Sequence, residues 1–250
     1  MSIASYSKFS QYKSLIQTLP DSFTEESILS EQFLLETDVK KKLELYYAPF
    51  EYVNEHAKVV IVGITPGLQQ MKKSFSTILN AKDQTDNDED ILQQVKSNSS
   101  FVGPMRKNLV QMLDELGLHK HLGLSSTIEL FNKANNLVHT TSVIPYPAFY
   151  KGKNFNGSTP NILKTEILKK YVKEFFTTEM SNLDSPLIIP LGVNVSNVLN
   201  YLVDNQLLKS TCILSGFPHP SGGNGHRFKQ FAENKESMQE ILRVYFQNED

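Results

Sequence analysis

The sequence predicts an α/β fold, a three-layer α/β/α arrangement with a mostly parallel four-stranded central sheet. Three observations carry this expectation. Four short apolar runs, at 59–62, 137–144, 187–191 and 211–215, have the length of strands rather than helices. Between them lie stretches with apolar residues at helical spacing, and strands alternating with helices build parallel sheets covered on both faces. The first run, Val59 to Val62, shows no polar alternation and opens into a Gly-x-x-Pro-Gly turn, as a strand buried on both faces does.

Composition sets the outer bounds. With 250 residues, 40% apolar and 21% charged, the chain can bury one sizeable core. We expect an N-terminal helical extension over residues 1–55, packed on an α/β domain over 56–250. No apolar run approaches the roughly 18 residues of a membrane span, and Met1-Ser-Ile-Ala-Ser lacks a basic start followed by an apolar run. The expectation is a cytoplasmic, monomeric protein without a membrane partner. A single cysteine, Cys212, excludes an internal disulfide and the multi-cysteine ligation of an iron-sulfur cluster. The formal charge of -2 gives no global pull toward nucleic acid, so local patches must supply it.

In chain order, Tyr6, Phe9, Tyr12, Leu15 and Ile16 lie at helical spacing and Pro20 closes that segment. A second helix is expected over 33–45, leading into the aromatic cluster Tyr46, Tyr47, Phe50 and Tyr52, which reads as core rather than as a base-stacking platform. The first strand follows and ends at Gly63, where Ile64, Thr65, Pro66 and Gly67 form the turn. In an open α/β sheet ligands bind at the carboxyl ends of the strands, and Gly63 and Gly67 let backbone approach one closely. Residues 80–90 carry no apolar periodicity and read as a surface loop, part of an acidic insertion over 82–100. Its carboxylates lack the Gly and Glu positions of a calcium loop, so no metal is expected. Pro104 can open a helix with Met105, Leu109, Met112, Leu113 and Leu116 on one face and Gly117 as its cap.

The second strand runs to Ile144 and is stopped by Pro145 and Pro147. Pro160 is expected to start a helix with Leu163, Ile167, Leu168, Tyr171, Val172, Phe175 and Met180 inward. The third strand precedes Gly192 and a helix carrying Val195, Val198, Leu199 and Leu202. The fourth delivers a loop, Gly216-Phe-Pro-His-Pro-Ser-Gly-Gly-Asn-Gly-His-Arg227, before a terminal helix from about Arg227.

The order of the two loops resembles the uracil-DNA glycosylase superfamily. Its members carry a first motif of the Gly-x-x-Pro-Gly type and a second that begins His-Pro-Ser, here His219-Pro-Ser221. The segment from Phe101-Val-Gly-Pro to Gly117 is similar to the Phe-Val-Gly stretch and helix of the bacterial iron-sulfur members, although the cluster cysteines are missing. The resemblance covers roughly 57–245 and implies a uracil-DNA glycosylase-like fold that acts on a damaged base in DNA without a cofactor.

By resemblance, His219 is the donor to the base oxygen and Thr65 holds the place of the water-activating Asp, Asn or Glu. A neutral hydroxyl cannot act as a base, so Thr65 can at most orient a water. Backbone groups of Gly63 and Ile64 supply further donors. Phe101 either stacks on the base or anchors its helix to the core. Ser142 stands where an Asn usually reads the base edge, and a hydroxyl lacks the paired geometry of an amide.

DNA contacts are expected from Pro66, Gly67, Lys151, Lys153, Ser221, Gly222, His226 and Arg227, with Lys72, Lys73 and Lys229 nearby. Three readings stay open: a glycosylase for uracil or a related deaminated base, a nucleic-acid-binding member with little or no activity, and an unrelated mononucleotide binder. The third lacks both the Gly-x-x-x-x-Gly-Lys-Ser/Thr and Gly-x-Gly-x-x-Gly loops.

Overall fold

The computed structural model of the chain describes residues 2–209 and 212–247. Helices α1 (Phe9–Gln17) and α2 (Glu25–Ile28) are followed by strands β1 (Leu34–Asp38), β2 (Leu43–Tyr46) and β3 (Val59–Gly63). Helices α3 (Leu68–Ala81), α4 (Asp88–Ser99), α5 (Pro104–Leu116) and α6 (Leu118–His121) come next. Strands β4 (Val138–Ser142), β5 (Ala148–Tyr150) and β6 (Lys153–Asn154) precede α7 (Glu166–Tyr171) and α8 (Thr177–Met180), which a π turn over Val172–Phe176 joins. The chain ends with β7 (Leu187–Pro190), α9 (Val193–Asp204) and α10 (Arg227–Gln247). Among the described residues no helix is long and apolar enough to cross a membrane.

These elements form two compact units, one of residues 1–53, 64–100 and 141–180, the other of residues 54–63, 101–140 and 181–250. The second unit holds β3, β7 and residues 138–140 of β4, within a three-stranded sheet of order β4-β3-β7. Strands β3 and β7 run parallel, Val59 opposite Leu187 and Val62 opposite Pro190. Val59 and Ile61 pack with Leu109, Met112 and Leu113 of α5 and with Met238 and Leu242 of α10. The helix predicted from Pro104 is present, and Gly117 ends it with φ +86, the left-handed cap that glycine adopts without strain. Helix α9 buries Val195, Val198, Leu199 and Leu202, as the spacing predicts.

The expected fourth strand is reduced to a single parallel bridge between Ile188 and Ile213. Ile188 N donates to Cys212 O at 2.8 Å and Leu214 N to Ile188 O at 2.8 Å, after which Gly216 turns the chain at φ +91. Thr211, the first residue of the expected run, lies outside the described residues.

The first unit holds an antiparallel sheet of order β1-β2-β5-β6, which the sequence reading did not anticipate. The helix expected over 33–45 is the hairpin β1–β2, with Asp38 opposite Leu43. Leu, Glu and Lys favour helices locally, but Leu43 and Leu45 alternate with Glu44 and bury on one face, and this period of two decides. Asp38 Oδ1 accepts from Lys41 N at 3.0 Å in the turn. The expected acidic loop is also corrected: 88–99 form α4, whose N-cap Asn87 accepts from Glu89 N at 2.9 Å. Asp88, Glu89 and Asp90 sit in the first turn, where the helix dipole favours carboxylates, while Ile91, Leu92 and Val95 are buried. The helix expected at Pro160 starts only at Glu166, after a single turn at Ile162–Lys164. The aromatic cluster is core, with Tyr12 stacked on Tyr47 at 4.0 Å and Tyr47 fully buried.

The account of β3 predicts that Ile61→Ala destabilises the fold by about 2–5 kcal/mol, since truncating a fully buried residue adds a cavity to the lost transfer energy. Urea unfolding checks this, and a loss under about 1 kcal/mol contradicts a tightly packed central strand.

Candidate functional site

In the second unit, three segments far apart in sequence meet at the carboxyl end of the parallel sheet. Strand β3 stops at Gly63. Leu191 N, just past β7, donates to Val62 O at 2.9 Å, and Gly192 N donates to Phe217 O at 3.1 Å. The second motif loop is therefore tied by backbone to the end of β7. Gly192 has φ +92, and a Cβ there would lie 2.9 Å from His219 Cβ. Only glycine satisfies both the backbone angle and the contact.

His219 lies between the buried Pro218 and Pro220, and the loop is pinned from outside. Asn108 of α5 donates to Pro220 O at 2.8 Å, and Asn224 Nδ2 donates to His219 O at 3.2 Å. Ser221 N donates to His219 Nδ1 at 3.3 Å. An imidazole that accepts at Nδ1 carries its proton on Nε2, so the ring presents Nε2–H as a donor. Burial holds the His219 pKa below the ordinary histidine value, which keeps the ring neutral at pH 7. Downstream, Ser221 Oγ accepts from Gly223 N, and Gly222 and His226 are exposed. Arg227 Nη1 donates to Asn224 O at 3.2 Å while its guanidinium stacks 4.3 Å from the Phe228 ring centre.

Phe101 is 3% exposed, has φ +54, and packs with Leu109, Leu113 and Phe131. This is the packing of the anchoring reading.

The first unit takes over at Ile64, so the first motif is divided between the two units. Ile64 O accepts from Ile144 N at 3.0 Å, and the Ile64 side chain fills the space beside Gly157, where a Cβ would lie 3.0 Å from it. Thr65 Oγ1 donates to Tyr146 O at 2.7 Å and accepts from Ala148 N at 2.9 Å. Pro66 is buried, and Gly67 is the N-cap of α3. Leu68 N donates to Asn154 Oδ1 at 2.9 Å, and the Asn154 amide packs over Gly67. Ser142, at the end of β4, is 7% exposed.

Lys151 and Lys153 flank the turn between β5 and β6 and are exposed. Lys151 Nζ lies 5.0 Å from the Tyr150 ring centre. Lys72 is paired with Glu25 at 3.1 Å, and Lys229 lies 3.8 Å from Glu233.

Asn108, Asn154 and Asn224 escaped the sequence reading. Asn224 alone carried a signal, as an Asn in a glycine-rich turn before a helix, where its Oδ1 accepts from His226 N at 3.2 Å. Among the described residues no group of His, Cys, Asp and Glu is placed to hold a metal ion, and the lone half-buried Cys212 does not fit a four-thiolate cluster.

Residues 50–244 match the family profile described as the Uracil DNA glycosylase superfamily. This chain belongs to that superfamily. Among curated proteins it is 38% identical over 237 residues to the uncharacterized protein YoxB of Bacillus subtilis strain 168, across 94% of this chain and 92% of that one. Among solved structures it matches wild-type SMUG2 of Pedobacter heparinus with a TM-score of 0.47 and 10% identity, across 94% of this chain and 97% of that one.

The geometry at Gly192 predicts that Gly192→Ala displaces the His219 loop and destabilises the protein by about 1–3 kcal/mol, measured by thermal unfolding. His219 adds a pH dependence. With its folded pKa lowered, the unfolded chain binds a proton that the folded chain resists as pH falls below about 6.5, so stability drops on the acid side. His219→Gln should lose that part of the acid slope between about pH 7 and 5, and an unchanged slope contradicts a partly buried neutral ring.

Proposed function

We propose that the protein is a monofunctional DNA glycosylase that hydrolyses the bond between deoxyribose and uracil or a related deaminated base. The observation that carries this reading is His219, with Nδ1 engaged by Ser221 N and Nε2–H left as a neutral donor on a loop fixed by two prolines. Superfamily membership supports the reaction class.

A base inside a duplex is unreachable, so the substrate base is flipped out or taken from single-stranded DNA, at a cost of a few kcal/mol. The N-glycosidic bond then breaks with its electron pair leaving on the base, and the sugar takes on oxocarbenium character. Water adds to the anomeric carbon and loses a proton, giving an abasic sugar and the free base. His219 Nε2–H meets the charge that develops on the base oxygen, and a preorganised donor of this type is worth roughly 3 kcal/mol. A neutral ring suits this role, because it donates without giving up a proton. The backbone of Gly63, at the end of β3 in the same unit, supplies a further donor. Phosphate contacts are assigned to Lys151, Lys153 and Gly67 of the first unit and to Ser221, Gly222, His226 and Arg227 of the second.

One observation favours the second reading, a member that binds nucleic acid with little chemistry. Thr65 replaces the acidic or amide side chain usual at its position, and its hydroxyl proton is committed to Tyr146 O.

End-labelled oligonucleotides containing uracil, hypoxanthine or xanthine, single- and double-stranded, decide between them. The wild type should release base and leave alkali-labile sites, and His219→Ala should lower the rate by about 10²–10³-fold while DNA binding persists. Salt-dependent DNA binding with no base release from any substrate would instead establish the second reading.

A further inference from the structure

We propose that Glu51 is a positioning residue for the first motif loop: through the Tyr146 phenol it fixes the 144–148 strap, whose backbone holds the Thr65 hydroxyl in one orientation. The inference rests on the glycosylase reading for its kinetic consequence and on the first unit alone for its geometry.

Glu51 is 1% exposed and lies outside both motif loops. Its two oxygens accept from Ser7 Oγ at 2.7 Å, Lys8 N at 2.9 Å, Tyr47 OH at 3.2 Å and, in a short contact, the Tyr146 OH. Four donors converge on it, an arrangement that suits the anion, because a carboxylate accepts on every side and a carboxylic acid does not. A buried carboxylate with fewer partners would be expensive, so each donor is held tightly in place.

Tyr146 links this centre to the motif. Its ring is fully buried and contacts Tyr6, Tyr47, Tyr171 and Phe175. Its own carbonyl accepts from the Thr65 hydroxyl, while Ile144 N and Ala148 N on either side donate to Ile64 O and Thr65 Oγ1. A hydroxyl has one proton and two lone pairs. With the proton on Tyr146 O and one lone pair on Ala148 N, Thr65 Oγ1 retains a single lone pair with a fixed direction. Thr65 is half-buried, and an oriented acceptor is what a hydroxyl can offer an attacking water. The role also explains what Ser7 and Lys8, ahead of the superfamily match, contribute: they complete the shell around the carboxylate.

The test uses Tyr146→Phe, which removes one oxygen and keeps the ring, with Thr65→Val and the double variant. Two readouts are followed in the full-length protein, base-release kinetics and amide hydrogen exchange at Ile144 and Ala148. Tyr146→Phe should lower kcat about tenfold to a hundredfold at unchanged KM, as a misplaced water would. It should speed exchange at Ala148 about tenfold while the amides of α4 keep their rates. The double variant should be no slower than Thr65→Val alone, since both act through one hydroxyl. Wild-type exchange at Ala148 in Tyr146→Phe overturns the proposal, as do kcat losses that multiply in the double variant. A wild type that releases no base refutes the glycosylase reading separately, and the exchange readout still decides the strap. If Tyr146→Phe does not fold, Ser7→Ala, which removes a half-buried donor from Glu51, should give the same pattern at about threefold amplitude, and no change in either readout overturns the proposal.

Discussion

The parallel pairing of β3 with β7 is the constraint on which the second unit depends. Parallel strands cannot be joined by a tight turn, so their pairing forces long connections and delivers two separate loops to one end of the sheet. The backbone bonds from Leu191 to Val62 and from Gly192 to Phe217 extend that pairing past the last ladder residue. They bring Gly63, Gly192 and the loop of His219 to a common level. Gly192 is the tightest point, because its left-handed backbone and its contact with His219 each exclude a side chain. Chemistry follows from that restraint: a histidine held at Nδ1 by the Ser221 amide and flanked by prolines has one tautomer and one direction in which to donate.

The first unit solves a different problem, the burial of a charge. Glu51 sits among aromatic rings, where desolvation pushes its carboxyl pKa up and the hydrogen bonds from Tyr146, Lys8, Ser7 and Tyr47 pull it back. The same burial raises the Tyr146 phenol, which stays protonated and remains a donor. A polar network of this kind is fully satisfied or costly, so it specifies the position of everything attached to it. Thr65 is attached to it through Tyr146, whose phenol meets Glu51 and whose carbonyl accepts from the Thr65 hydroxyl.

How much of this was legible in the sequence depended on whether local pattern or distant contact decides. Val59 to Val62 and Leu187 to Pro190 are uninterrupted apolar runs with a single stable solution, and Pro104 and Gly117 bracket α5 unambiguously. The two motif loops were visible as well, because glycine and proline constrain backbone wherever they occur. The hairpin β1–β2 was not, since the Leu, Glu and Lys of 34–46 are helix formers, and their short alternation becomes a strand through pairing of β1 with β2 and of β2 with β5. The acidic run around Asp88 looked like a loop until its cap at Asn87 and its buried Ile91, Leu92 and Val95 were seen together. Glu51 and Asn108 carry no local signal at all, because each acts on a residue more than ninety positions away.

The claim on which this account turns is that His219 is a neutral ring with its proton on Nε2. Nitrogen-15 NMR of the uniformly labelled protein at pH 7 tests it directly, by the shifts of the two ring nitrogens and their couplings to the ring hydrogens. The account predicts a protonated Nε2 and an unprotonated, hydrogen-bonded Nδ1. A ring protonated at Nδ1, or an imidazolium at that pH, would point the donor elsewhere and contradict the role assigned to this loop.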